Sequence, residues 1–324
     1  MKLIKKILHR FSGYKYPQEY LCLENDRIPD LLHVYIIRNG LVVQDVSNLH
    51  LFVGYKPLIF ALPNLERIDL SDARELNLAL SNRILTNGST ISPDDIVAQL
   101  TLIRVDVKQI KGTLIYLYEG SNGDHKFLSP VNQWAIQLQN EWFNKKSGNV
   151  FLSTNLYRQV QIAYAIPRRI SLITIKMDQA FNLFPTDLHG KLGEDTYLIS
   201  LRHAGMAARQ VELTKRIVLS QVDPSSFKLA YGLGKNHMQP LKAKDHFPFS
   251  NQVSEKFSIP VPDQATGYYE LTLEDSSIMG IHRLFVFSIS TNKTNSDANS
   301  LVHIHNAYAS WRKKNGLSGN YLLR

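Results

Sequence analysis

The second half of the chain is a close succession of short β-rich runs, and this limits the folds open to it. "RQVQIAYAI" (158–166), "RRISLITIKM" (168–177), "DTYLISLRH" (195–203), "RIVLSQV" (216–222) and "GYYELTLEDSSIMGIHRLFVFSIST" (267–291) follow one another, with a further run near "LVHIHNAY" (301–308). Every strand at the margin of an open sheet exposes unpaired backbone groups. Many short strands at this spacing therefore predict a closed or nearly closed barrel. The Asn/Ser/Thr-rich stretch Ser290–Ser300 is expected to be a solvated loop.

The first half reads as α+β. "LLHVYIIRNGLVVQDV" (31–46) places β-rich runs on either side of Asn39-Gly40, a strong hairpin signal. Residues 49–62 continue in the same way, broken at Gly54 and Pro57, and Thr101–Gly120 predicts a strand pair turning near Lys111-Gly112. "SDARELNLALSNRIL" (71–85) is expected to be a helix. So is the stretch 129–148, with Ser129 as cap, Pro130 in the first turn and Gly148 past the end. Val131, Trp134, Ala135, Leu138 and Trp142 fall on one face of that second helix and are expected to be core. The division drawn is an α+β N-terminal domain of unassigned role at 1–158 and a mainly-β barrel domain at 159–324.

With 324 residues, 44% of them hydrophobic and 20% charged, the chain can bury sizeable cores. Its one cysteine, Cys22, allows no internal disulfide and suits a reducing, cytoplasmic setting. No run of about 18 apolar residues offers a membrane span. The opening "MKLIKKILHRFSGYK" is basic and mildly amphipathic, and the simpler expectation is a helix docked on its own domain. The formal charge of +9 invites a nucleic-acid reading. However, the basic residues are spread out, and no zinc-finger, RNP or helix-turn-helix pattern is present. The same excess would draw an anionic small molecule.

The densest set of chemistry-bearing residues is "FNLFPTDLHGKLGEDTYLISLRHAGMAARQ" (181–210). It reads as an extended segment ending at Pro185-Thr186, then a strand that delivers Arg202, then a loop through Gly205 into a helix. A helix start beside Arg202, His203 and Arg209 is a plausible anion site. On these residues alone, an ordinary strand–helix junction with surface arginines is the simpler reading. "HIH" at His303 and His305 has a spacing compatible with a metal, but no Cys or carboxylate partner is identifiable, and no metal site is assigned. "YGLGKNH" (231–237) lacks the spacing of a phosphate-binding P-loop.

The order Asn182-Leu183-Phe184-Pro185-Thr186, then Ser200-Leu201-Arg202, then a late strand with Glu270 followed by Gly280-x-His282-x-Leu284-Phe285, resembles the flavin reductase-like, FMN-binding split-barrel family over roughly residues 160–315. The resemblance implies a split β-barrel that binds FMN. It further implies transfer of electrons from NAD(P)H to an acceptor, and a homodimer with the cofactor at its interface. It assigns flavin lining to Asn182, Pro185 and Thr186, the phosphate region to Arg202, His203, Gly205 and Arg209, and ring-edge or proton-donor roles to His189 and His282. Where the family commonly carries hydroxyls in its phosphate loop, this chain has Gly205-Met206-Ala207-Ala208. Any phosphate would therefore rest on backbone NH groups and the cations. The alternative is a flavin-free barrel serving as an interaction module.

Overall fold

The computed structural model describes residues 19–23, 32–110, 112–139, 152–294, 300–317 and 320–322. The basic segment 1–15 and Trp142 lie outside them. In the second half, β10 (Ser171–Met177) and β11 (Ala180–Thr186) form a hairpin through Asp178, whose φ is 54°. β12 (His189–Lys191), β13 (Thr196–Arg202), β14 (Arg216–Val222), β17 (Ala265–Met279) and β18 (His282–Thr294) complete a seven-stranded antiparallel sheet in the order β11-β10-β14-β17-β18-β13-β12. A short pair, β15 (Phe249–Val253) and β16 (Pro260–Pro262), forms its own two-stranded sheet. This is the mainly-β barrel expected. β18 runs on through Thr294, so the first residues of the expected loop at Ser290–Ser300 are strand.

The first half departs from the α+β expectation. Its strands are β2 (His33–Arg38), β3 (Leu41–Asp45), β4 (Leu51–Tyr55), β5 (Leu58–Pro63), β6 (Glu75–Ser81), β7 (Ala98–Ile110) and β8 (Thr113–His125). Asn39 (φ 52°) and Gly40 (φ 75°) form the expected β2–β3 turn. The segment read as a helix over 71–85 is strand β6 instead. Leu76, Leu78 and Leu80 are all buried, two residues apart, which is the period of a strand. Pairing with β2 on one side and β7 on the other overrides the helix propensity of Leu, Ala and Glu.

These strands pair in the order β3-β2-β6-β7-β8-β5-β4, the same sequence of connections as in the second half. The correspondence extends to single residues. In the β7–β8 hairpin, Leu102 faces Gly120 and Ile110 faces Thr113, with register shifts after Thr101 and after Arg104. In the β17–β18 hairpin, Leu271 faces Ile289 and Met279 faces His282, with shifts after Glu270 and after Leu273. One constant separation along the chain relates every one of these pairs. A bulge inserts one residue and bends the strand beyond it, so two bulges at matched positions mark two copies of one fold.

The copies pack through equivalent positions. One core cluster joins Ala61, Ile115 and Leu117 of the first half to Leu198, Leu284 and Val286 of the second. Ala61 faces Leu117 in its sheet as Leu198 faces Val286 in its own. The interface therefore has the self-complementary form of a twofold dimer.

Helices close the ends. α1 (Pro130–Gln139) follows β8, but Val131 and Trp134 are exposed, and Ile136 is the residue it buries. Of the expected stripe, Val131 and Trp134 thus face away from the core, while Ala135 and Leu138 are half-buried. "RQVQIAYAI", read as a strand, lies in helix α2 (Thr154–Ala165). Its alternating Val160 and Ile162 imitate a strand pattern, yet both are buried with Ala163 and Ala165 against the first sheet. Close approach is allowed by Gly123, where a Cβ would come within 2.9 Å of Gln159 and 3.0 Å of Ile162. The expected division after residue 158 falls inside this helix.

After β18 the chain forms β19 (Ser300–Ile304), which pairs with β1 (Glu19–Leu23) and β9 (Arg168–Arg169). Near the C-terminus, Tyr308 packs on Phe127 of the first half, with ring centroids 5.0 Å apart. Its neighbour Trp311 lies 6.4 Å from the same ring. No helix among the described residues is long and apolar enough to cross a membrane.

Candidate functional site

A cavity of about 440 Å³ lies where the two halves meet, a size usual for small-molecule sites. Of the residues singled out from sequence, Pro185, Thr186, Arg202, Gly205 and His282 line it. The second half delivers them from three strand ends and the start of α3 (Met206–Thr214). The first half contributes Tyr55, at the end of β4, and Tyr164, near the end of α2.

Gly205 caps α3 with no side-chain hydrogen bond to the helix start. Its Cβ, were there one, would lie 3.2 Å from the Arg202 carbonyl and 3.3 Å from that of His237. Absence of a side chain there lets the turn close against the segment Gly234–Met238 and leaves the first NH groups of α3 uncapped at the cavity. Arg202 lines the same cavity. It donates to the Tyr55 hydroxyl and sits 5.6 Å from the centre of the Tyr55 ring. No carboxylate pairs with Arg202 among the described residues.

His282 begins β18 immediately after the Gly280 turn. Its Nδ1 is 3.1 Å from Ser200 Oγ, and its ring meets Tyr55 edge-on with centroids 4.7 Å apart. Nε2 is buried and has no hydrogen-bond partner. Burial, followed by the Arg202 charge, lowers the imidazole pKa to about 4, so it is neutral at pH 7. A neutral imidazole still offers one N–H donor and one acceptor nitrogen.

Asp187, next to Thr186 in sequence, adds a buried charge network. Its Oδ2 accepts from Arg168 Nη2 at 3.2 Å and from His303 Nδ1 at 2.7 Å. Arg168 also donates to the carbonyls of Ala163 (3.3 Å) and Ile166 (3.2 Å) and lies 4.2 Å from the Tyr164 ring centre. Burial alone would raise the Asp187 pKa, but Arg168 and His303 outweigh it and hold the carboxyl well below its usual range. The ion pair is internally balanced, which leaves Arg202 and the helix start to give the cavity its positive character.

The remaining sequence-derived residues lie elsewhere. Asn182 is fully buried behind the cavity, and its Nδ2 donates to Gln210 Oε1 (2.7 Å) and to the Asn236 carbonyl (3.1 Å). Asn236 in turn donates to the Leu183 carbonyl at 2.9 Å, so the Asn182 group ties down the wall Gly234–Met238, while its own Oδ1 is buried without a hydrogen-bond partner. His203 and Arg209 are exposed and do not line the cavity. His189 lines a separate cavity of about 260 Å³. Its Nδ1 is 2.8 Å from the Tyr197 hydroxyl and its Nε2 3.0 Å from the Arg169 carbonyl; burial lowers its pKa to about 4. Glu270 accepts from the backbone NH groups of Lys256 (3.0 Å) and Phe257 (2.7 Å) and supports a loop.

The likeness is to flavin reductases and FMN-binding proteins. An FMN-binding protein from Thermus thermophilus matches over 40% of this chain and 71% of its own, with 17% identity and a TM-score of 0.35. A NADH:FAD oxidoreductase from Streptomyces globisporus matches over 47% and 89%, with 12% identity and a TM-score of 0.40. The styrene monooxygenase flavin reductase from Pseudomonas putida S12 matches over 51% and 97%, with 15% identity and a TM-score of 0.38. Each covers about half of this chain, and similarity of this extent assigns no residue a role. No protein-family model matches the sequence, and no curated protein matches it.

Sequence reading missed Tyr55, Tyr164, Asp187, His237 and the participation of His303. Asp187 directly follows Thr186 in sequence, and His303 stands out there only by its spacing from His305. The two tyrosines belong to the other half and become relevant only once the halves are docked.

Proposed function

We propose that the cavity between the halves binds FMN and that the chain is a flavin reductase-type oxidoreductase drawing electrons from NAD(P)H. One observation carries this reading. A buried imidazole nitrogen without a partner, His282 Nε2, lines the same cavity as an uncapped helix start and a guanidinium without a carboxylate. An unsatisfied buried polar atom is costly, and a ligand with a polar ring edge and an anionic tail would satisfy both ends.

In this reading Arg202 and the first NH groups of α3 hold the phosphate, despite the missing hydroxyls. His282 offers Nε2 to the ring edge, its orientation fixed by Ser200 and Tyr55. Thr186 lines the flavin, and Asp187 stays ionised through Arg168 and His303. Bound flavin would supply the redox chemistry, accepting a hydride from the nicotinamide and passing electrons on. The residues named here bind and orient it.

The test is FMN titration of the wild type beside Arg202→Ala. Loss of a charged hydrogen bond is expected to weaken binding by about 1.5–3 kcal/mol, roughly 10- to 150-fold in Kd. Unchanged affinity refutes the phosphate assignment. The Arg202–Tyr55 hydrogen bond across the cavity favours a second reading, a flavin-free interaction module. A colourless protein that takes up no added FMN would support it.

A further inference from the structure

We infer that the N-terminal half is a built-in partner subunit: the chain is a tandem copy of one barrel that completes a single ligand site alone, the twofold-related site having lost its chemistry. The single-ligand part rests on the flavin reading above; the self-partnering part does not.

Two sets of observations support the inference. The first is the isologous interface, in which equivalent positions of the two sheets form one shared core. Further contacts continue it at the rim. Lys108 on β7 reaches Asp275 on β17 at 3.0 Å. The Ile281 NH donates to the Lys56 carbonyl at 3.0 Å across the halves. Surfaces that a homodimer of single barrels would bury between two chains are buried here within one.

The second is the asymmetry of the two poles. Strand pairing identifies the residues that stand in the first half where the site residues stand in the second. Thr113, opposite Ile110, occupies the place of His282, opposite Met279. Pro63, opposite Ile115, occupies the place of Ser200, opposite Leu284. Asp45, opposite Tyr35, answers Pro185, opposite Leu172; Val46 and Ser47 then follow where Thr186 and Asp187 follow. β5 ends at Pro63, so no strand residue answers Arg202. Between β5 and β6 there is no helix to answer α3. The imidazole, its serine, the guanidinium, the carboxylate and the helix start are thus all missing from one pole. Meanwhile the first half retains Tyr55 and Tyr164 at the other.

The test is light-scattering mass of the full chain with and without FMN, together with FMN stoichiometry. The expected result is the mass of one 37.0 kDa chain in both states and one FMN per chain. His282→Ala is expected to weaken binding about tenfold, the loss of one buried hydrogen bond, and Thr113→Ala to leave it unchanged. Twice the mass overturns the self-partnering. Two equivalents per chain, or equal losses in the two variants, overturn the single site. If no FMN binds, the flavin reading fails and the single-ligand part fails with it. The mass still decides the self-partnering, supported by one chain and overturned by two.

Discussion

Asp187→Asn isolates the contribution of the buried ion pair. The substitution preserves shape but leaves Arg168, whose side chain is 7% exposed, without its counter-charge. Breaking a buried pair from one side costs about 3–5 kcal/mol. Arg168 keeps two backbone carbonyls and the face of Tyr164, and Asp187 is itself 25% exposed, so the low end, about 3 kcal/mol, is expected. The two halves share one core and are taken to unfold together. At about 2.1 cal/mol/K per residue the unfolding entropy of a chain this long is about 0.7 kcal/mol/K, so Tm should fall by about 4 °C.

The pH dependence gives a second readout. Because the folded pKa is depressed, the stabilisation from Asp187 is complete above the unfolded carboxylate range near 4 and is lost as pH falls from there toward the folded value. Thermal melts of wild type and variant should therefore differ most at neutral pH and converge in acid. Equal Tm values at pH 7, or a constant gap down to pH 2, would refute the assignment of an ionised, paired Asp187.

His189 and His282, both lowered to about 4 by burial, favour the fold above the unfolded pKa near 6.5 and lose that contribution as pH falls toward 4. His189→Gln should flatten the fall in urea midpoint between pH 6.5 and 4; an unchanged slope would contradict the buried neutral imidazole. Gly280 holds φ 60° in the turn before His282, and a Cβ there would collide with Lys56 and Pro57 of the other half. Gly280→Ala should lower Tm by several degrees and weaken the contact between halves, which limited proteolysis would register; a wild-type melt would refute the close approach.

How much of the fold and site was legible in the sequence depends on the range of the forces involved. Asn39-Gly40 specified its hairpin because a turn with two positive φ values is a local requirement. The β10–β11 pair and the Pro185-Thr186, Arg202 and Gly205 positions were legible because strand ends and helix starts are also set locally. The β6 segment was misread because Glu75–Ser81 has helix-forming residues and becomes a strand only through β2 and β7, which are distant in sequence. α2 was misread in the opposite sense, since its packing depends on glycines in β8 that have no side chains to reveal it. His189 and His282 could not be told apart from sequence. Both have pKa values lowered to about 4, but only one has a buried nitrogen without a partner, and that depends on Tyr197 and Arg169 in one case and on the docked half in the other.

The duplication was invisible for a related reason. A barrel repeats its hydrogen-bond register without repeating its residues, because ladder pairing uses the backbone and asks of side chains only that each face meet its core. Ala61 and Leu198, or Ile115 and Leu284, are interchangeable under that rule. The polar positions were under a different constraint. A buried imidazole or serine carries a desolvation cost that Thr113 and Pro63, at the equivalent positions of one pole, do not share in the same form. At the other pole the same groups persist with that cost still present, most plainly at His282 Nε2. In the flavin reading proposed above, a ligand seated at the seam beside Tyr55 would satisfy that nitrogen, for which Thr113 at the twin pole has no counterpart.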